Sequence, residues 1–161
     1  MRKKQLNIEY REYLTENELP DHETELLSRA AQAAHGAYSP YSGFNVGAAV
    51  ELDNGEIITA SNQENAAYPS GLCAERVAIF YAHARYPDAA IKSVAVTALQ
   101  EGITCEMPTL PCGACRQVMA ESELRSGKPM KIVTGGSKVT MVMDSVEGLL
   151  PFPFNNLPKK D

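Results

Sequence analysis

Three cysteines and one glutamate are the residues of this chain best suited to chemistry: Cys73 and Glu75 in GLCAERVAIF, Cys112 and Cys115 in LPCGACRQVM. A C-x-x-C pair at the start of a helix puts two thiolates on one side of one turn. A third thiolate from another helix completes three corners of a tetrahedron and leaves the fourth open to water. Zinc held by three protein ligands acidifies water at the open position, whereas a structural zinc is closed by a fourth ligand. Glu75, two positions after Cys73, is close enough to handle that water's proton without binding the metal. An isolated C-x-x-C is as readily a redox pair. The separate CAE string and the flanking PCGACRQ argue for metal.

Two helix starts and a sheet must bring these residues together. Asp21 to His35 has acidic residues early and Leu26, Leu27, Ala30, Ala31 and Ala34 at helical spacing, so it predicts a first helix with Gly36 as its C′ residue. Asn45 to Leu52 and Glu56 to Ser61 read as strands joined through Asp53, Asn54 and Gly55, a hairpin signal. A second helix starting near Ser70 or Gly71 carries Cys73, Glu75 and Arg76 as far as Arg85, with Pro87 stopping it. Ile91 to Leu99 reads as a strand, and Val94 and Val96 alternating with Ser93, Ala95 and Thr97 suggest burial on both faces, as expected of a central strand. A third helix begins at the PCGAC turn, Met130 to Val133 and Val139 to Met143 are the remaining strands, and Ser145 starts a brief helical turn. The order α-β-β-α-β-α-β-β predicts an α/β fold, a three-layer α/β/α sandwich around one five-stranded mixed sheet. Ahead of it, the alternation of Leu6, Ile8 and Tyr10 predicts a short edge strand in an N-terminal extension, residues 1–20, leaving 21–161 as a single domain.

With 161 residues the chain suits one domain, able to bury roughly two thirds of its unfolded surface. A formal charge of -5, with no basic block beyond Arg2, Lys3 and Lys4, provides no field for phosphate backbones and disfavours a nucleic-acid partner. The start MRKKQLNIEY has no apolar h-region and no membrane-spanning run follows, so no membrane partner and a cytoplasmic location are expected. Four cysteines without a secretory signal fit reduced thiols better than disulfides.

CAE followed by PCGAC, with Pro111 supplying the proline, matches the pattern of zinc-dependent nucleobase deaminases. The strings YSPYSGFNVGAAV, NQENAAYPSGLCAER, PCGACRQV and LLPFPF closely resemble the cytidine deaminases of the short-chain, three-cysteine, homotetrameric zinc type. They run from Tyr38 to Phe154, over nearly all of the expected folded chain. The resemblance implies the cytidine deaminase-like fold and one Zn2+ per chain on Cys73, Cys112 and Cys115. It further implies hydrolytic deamination of cytidine and 2′-deoxycytidine in pyrimidine salvage. Glu75 would take a proton from the attacking water, deliver it to N3 of the ring, and carry a second proton to the departing amine.

Zinc on three thiolates has a net charge of about -1, which makes its water less acidic than on neutral histidines. Two helix N-termini draw charge off the sulfurs, and the resemblance implies that Arg76 helps by hydrogen-bonding them. Asn62 and Glu64 match positions that hydrogen-bond the ribose, Glu64 accepting from the 3′-hydroxyl, so a deoxyribose should also be accepted. Loss of such a hydroxyl contact costs far more than loss of a methylene. Phe44 matches the aromatic that packs on the pyrimidine, and backbone around Ala74 the groups that bind the ring carbonyl. Phe154 matches the aromatic that reaches over a neighbouring subunit's site, so a homotetramer is implied in which neighbours complete each site. Tyr41 and Tyr68 would support the pocket or the interface, and Phe152 would pack.

Blander readings stand beside these. Phe44 could be a core residue, Arg76 a surface ion pair, and Glu75 a complement to a helix dipole. A blasticidin-type deaminase shares CAE and PCGxCRQ but lacks the NxENA string. A deaminase of RNA or DNA would need a basic groove. A noncatalytic zinc module would recruit Cys105 as fourth ligand, although Cys105 falls in an expected loop. His22, His35 and His83 lie outside every motif and read as surface or helix residues.

Overall fold

Seven strands in one sheet and three helices make up the fold among the described residues, 1–14 and 18–155, of the computed structural model. In chain order they are β1 (Arg11–Tyr13), α1 (Asp21–Ala34), β2 (Phe44–Leu52), β3 (Ile57–Ser61), α2 (Ala74–Arg85), β4 (Ile91–Gln100), β5 (Ile103–Thr104), α3 (Gly113–Ser126), β6 (Lys131–Gly135) and β7 (Thr140–Met143). The sheet order is β1-β7-β6-β4-β2-β3, with β5 folded back onto β4. Only β4 and β6 run parallel, and α3 lies in the connection between them. The sheet is mixed, as expected, but larger than the five strands expected.

The two additional strands are short. The N-terminal strand is Arg11–Tyr13, paired antiparallel with β7, and not the Leu6, Ile8 and Tyr10 alternation, which lies outside any strand. Arg11 secures it through two hydrogen bonds to Asp144, at 2.7 and 2.5 Å. Tertiary pairing therefore decides the register here, not local alternation. β5 turns back on β4 through Glu101 at φ 52° and Gly102 at φ 78°. Both central residues are left-handed, which a hairpin favours, but Glu-Gly is a weaker sequence signal than Asn-Gly.

Alternation along the strands separates two apolar faces. Ala48, Val50, Leu52, Val94, Val96 and Ile132 meet Ala78, Ile79 and Ala82 of α2 and Met119 of α3. The intervening Ala49, Ala95 and Val133 meet Leu26 and Ala30 of α1. One helix covers one face and two cover the other, as period-two side-chain direction requires. Gly36 is not among the left-handed glycines; α1 ends instead on i→i−3 bonds, from Gly36 N to Ala33 O at 3.0 Å and Ala37 N to Ala34 O at 3.1 Å, which satisfy its last carbonyls. The left-handed cap belongs to α3, at Gly127 with φ 67°.

Gly47 sets the distance between α1 and the sheet. A Cβ there would lie 1.9 Å from Ala30 O and 2.6 Å from Ala34 N, both helix backbone atoms that cannot swing aside. Gly47→Ala is expected to lower stability by about 3 kcal/mol, read from the midpoint of denaturant unfolding. An unchanged midpoint would show that α1 can move off β2 freely. Two histidines also join elements: His22 Nε2 lies 2.8 Å from Oε2 of buried Glu51, which also accepts from Lys92. His83 Nε2 lies 2.7 Å from Ser122 Oγ and links α2 to α3.

Candidate active site

Both α2 and α3 begin at a cysteine. Cys73 is the N-cap residue of α2 and Cys112 that of α3, both in extended conformation and neither capping its helix through its side chain. Cys115 follows in the first turn of α3 and is fully buried. The first-turn N-H groups of two helices are thus left without side-chain caps beside the sulfurs, a surrounding that favours negative charge. Cys73 Sγ and Cys112 Sγ are 3.6 Å apart, Cys112 and Cys115 Sγ 3.5 Å apart, and all three lie within 4.8 Å of one another. Tetrahedral zinc with sulfurs at about 2.3 Å needs them about 3.8 Å apart, so the donor set fits zinc. Cys105 is not in this cluster; its backbone pairs with Ala98 and Ser137.

The chemistry of the thiols follows from their contacts. The neighbouring Cys115 thiol holds the Cys73 thiol down at about 5 against the opposing effect of burial, with Cys112 and Arg76 assisting. The proximity of Cys73, together with burial, pushes Cys115 up. Arg76 Nη2 approaches Cys73 Sγ at 4.0 Å, and its buried Nε has no hydrogen-bond partner. A guanidinium aimed at thiolates with a spare buried donor can drain charge from them. Glu75, 3 % exposed, sits in the first turn of α2. Burial raises its carboxyl above the usual range, and charge on Cys73 adds to the rise. Such a carboxyl readily carries a proton.

Cys73, Glu75 and Cys112 line a cavity of about 620 Å³, together with Phe44, Asn62 and Glu64. Arg76 is the one cationic side chain among the described lining residues. Tyr41 and Tyr68 also line it, packed edge to face with ring centres 6.0 Å apart. The segment carrying Asn62 and Glu64 is tied to the approach to Cys73 by reciprocal backbone bonds between Gln63 and Leu72, both 2.9 Å. Arg116 braces the other approach, donating to Pro111 O at 2.7 Å and Leu149 O at 3.0 Å.

The remaining expected site residues stand in different positions. Half of the hydrogen-bonding capacity of Asn62's amide is occupied by backbone: Oδ1 accepts from Val46 N at 2.8 Å and Nδ2 donates to Phe44 O at 2.9 Å, leaving one N-H and one acceptor position for a ligand. Ala74 is fully buried and does not line the cavity. Phe154, 69 % exposed, lies outside the cavity of its own chain; Gln117 holds its backbone through bonds of 2.8 and 2.9 Å. Phe152, expected to pack, is 84 % exposed. Ser42 is a lining residue that sequence reasoning missed. A serine in a turn has no spacing signature, and only its hydrogen bonds distinguish it.

Residues 20–128 match the family model described as the cytidine and deoxycytidylate deaminase zinc-binding region. A cytidine deaminase from Halalkalibacterium halodurans is 48 % identical over 98 residues, which cover 60 % of this chain and 68 % of that protein. One from Mycobacterium tuberculosis is 37 % identical over 117 residues, covering 70 % and 84 % respectively. The crystal structure of a cytidine deaminase from Burkholderia pseudomallei matches with a TM-score of 0.67 at 34 % identity, covering 84 % of this chain and 100 % of that one. The cysteine cluster thus lies in a chain that belongs to the cytidine and deoxycytidylate deaminase zinc-binding family.

Proposed function

We propose that this protein hydrolytically deaminates cytidine and 2′-deoxycytidine to uridine and 2′-deoxyuridine, releasing ammonia, as a step of pyrimidine salvage. The observation that carries the reading is one cavity lined by two of the clustered cysteines and a buried carboxyl, together with an aromatic ring and a second carboxylate. Zinc on Cys73, Cys112 and Cys115 would supply a Lewis acid that makes water nucleophilic at neutral pH. Glu75 takes one proton from the attacking water and passes it to N3 as C4 is attacked, then takes the proton of the 4-hydroxyl so formed and delivers it to the departing amine as the C4 carbonyl forms. Its burial keeps bulk water from that proton. Phe44 packs on the ring, backbone at Ala74 receives the ring carbonyl, and Asn62 and Glu64 hold the ribose. Arg76 acts on the thiolates.

A cavity with two carboxylates and a thiol cluster repels phosphate, which favours a nucleoside over a nucleotide or polynucleotide. Residues 21–161 form the catalytic domain, and the extension before it contributes β1. The assembly is a homotetramer in which Phe154 reaches a neighbouring subunit's site; its exposure outside its own cavity supports this. Four free cysteines suit a reducing cytoplasm. No helix among the described residues is long and apolar enough to cross a membrane. Zinc-loaded protein is expected to release one ammonia per cytidine and per 2′-deoxycytidine consumed. No release from either by fully loaded protein would overturn the proposal.

A further inference from the structure

The Ser42 hydroxyl stands between two groups assigned to different parts of the substrate. Its Oγ accepts from Phe44 N at 3.0 Å and donates to Glu64 Oε1 at 2.5 Å. The other carboxylate oxygen, Oε2, accepts from Tyr41 N at 2.9 Å and Ser42 N at 3.3 Å. The turn that aims these donors needs a left-handed residue, supplied by Gly43 at φ 65°, whose N-H closes onto Ser39 O at 2.9 Å. Further backbone bonds, Tyr38 N to Asn62 O at 3.0 Å and Glu64 N to Tyr38 O at 2.8 Å, lace the turn to the segment carrying the carboxylate.

We infer that Ser42 is a positioning residue for sugar recognition, holding the Glu64 carboxylate in register with Phe44 so that Oε1 receives the 3′-hydroxyl of the nucleoside. A carboxylate oxygen accepts about two hydrogen bonds. Oε2 is filled by two backbone donors and Oε1 by one hydroxyl, so a single acceptor position remains. That position takes one hydroxyl and not a vicinal diol; with the 3′-hydroxyl assigned to it by the ribose reading above, the 2′ position is left unread by this carboxylate. Ser42 has one proton to give, so donating to Glu64 turns its lone pairs to Phe44 N-H and fixes the distance from base platform to sugar anchor.

The inference rests on the ribose reading of Glu64 given above, and the experiment separates the two. kcat and KM are measured for cytidine, 2′-deoxycytidine and 3′-deoxycytidine with wild type, Ser42→Ala and Ser42→Thr, with zinc content determined on each. Wild type is expected to prefer both substrates bearing the 3′-hydroxyl over 3′-deoxycytidine by at least about 100-fold in kcat/KM. Ser42→Ala is expected to lose about 10- to 30-fold on those two, mostly through KM, and less than about threefold on 3′-deoxycytidine, with Ser42→Thr restoring most of the loss. An equal loss on all three substrates, a loss confined to kcat, or no loss would overturn the role of Ser42. Wild type that fails to discriminate against 3′-deoxycytidine would overturn the ribose reading itself. Should Ser42→Ala lose its zinc, Ser42→Cys repeats the comparison with similar volume and a weaker donor.

Discussion

Glu75→Gln is expected to keep about one zinc per chain and to lose about 10³-fold in kcat on cytidine, with KM changed little. The substitution preserves shape at a position only 3 % exposed, so neither the fold nor the cavity wall should move. What it removes is the ability to take a proton from water and return it to the ring and the leaving amine. A positioned acid-base group contributes roughly 10²- to 10⁴-fold, and a 10³-fold loss corresponds to about 4 kcal/mol in the barrier. A kcat within about tenfold of wild type would return Glu75 to a helix-dipole role. Equal activity alongside reduced zinc would show that the residue serves the metal site instead.

Cys112→Ala is expected to reduce retained zinc to well below one per chain after dialysis against a chelator and to abolish ammonia release. Cys112 is the informative choice because it is exposed, whereas Cys115 is fully buried and its replacement would also disturb packing. Two remaining thiolates cannot complete the three-ligand site that leaves one position open. Cys105→Ala measured alongside should retain both zinc and activity, since Cys105 lies outside the cluster. Zinc lost equally from both variants would revive a closed four-cysteine site and remove the chemistry with it.

The parts of the site legible in the sequence were those whose chemistry depends on side-chain type. C-x-x-C, CAE and the hairpin residues Asp53, Asn54 and Gly55 each require particular residues at particular spacing, and the structure brings the three thiols together and forms that hairpin. The central strand was legible from Val94 and Val96 alternating with the small Ser93, Ala95 and Thr97, a run that suits a strand buried on both faces. What escaped detection depends on backbone. β1 forms where β7 offers an edge, immediately after the alternation that suggested it. Gly47 reads as one glycine in a strand until α1 is laid against it. Asn62 resembles a ribose ligand by motif, yet half of its amide's hydrogen-bonding capacity braces β2. Ser42 shows its role only once the turn has closed on Glu64.

The sulfurs of Cys73 and Cys112 lie 3.6 Å apart although 39 positions separate them in the chain. They meet only when α2 and α3 have docked on one face of the sheet. An ion bound to this arrangement and not to the unfolded chain is therefore a folding ligand. Each tenfold rise in its free concentration above the dissociation constant adds about 1.4 kcal/mol to stability. Metal supply would then govern how long each chain survives proteolysis as well as how fast it turns over.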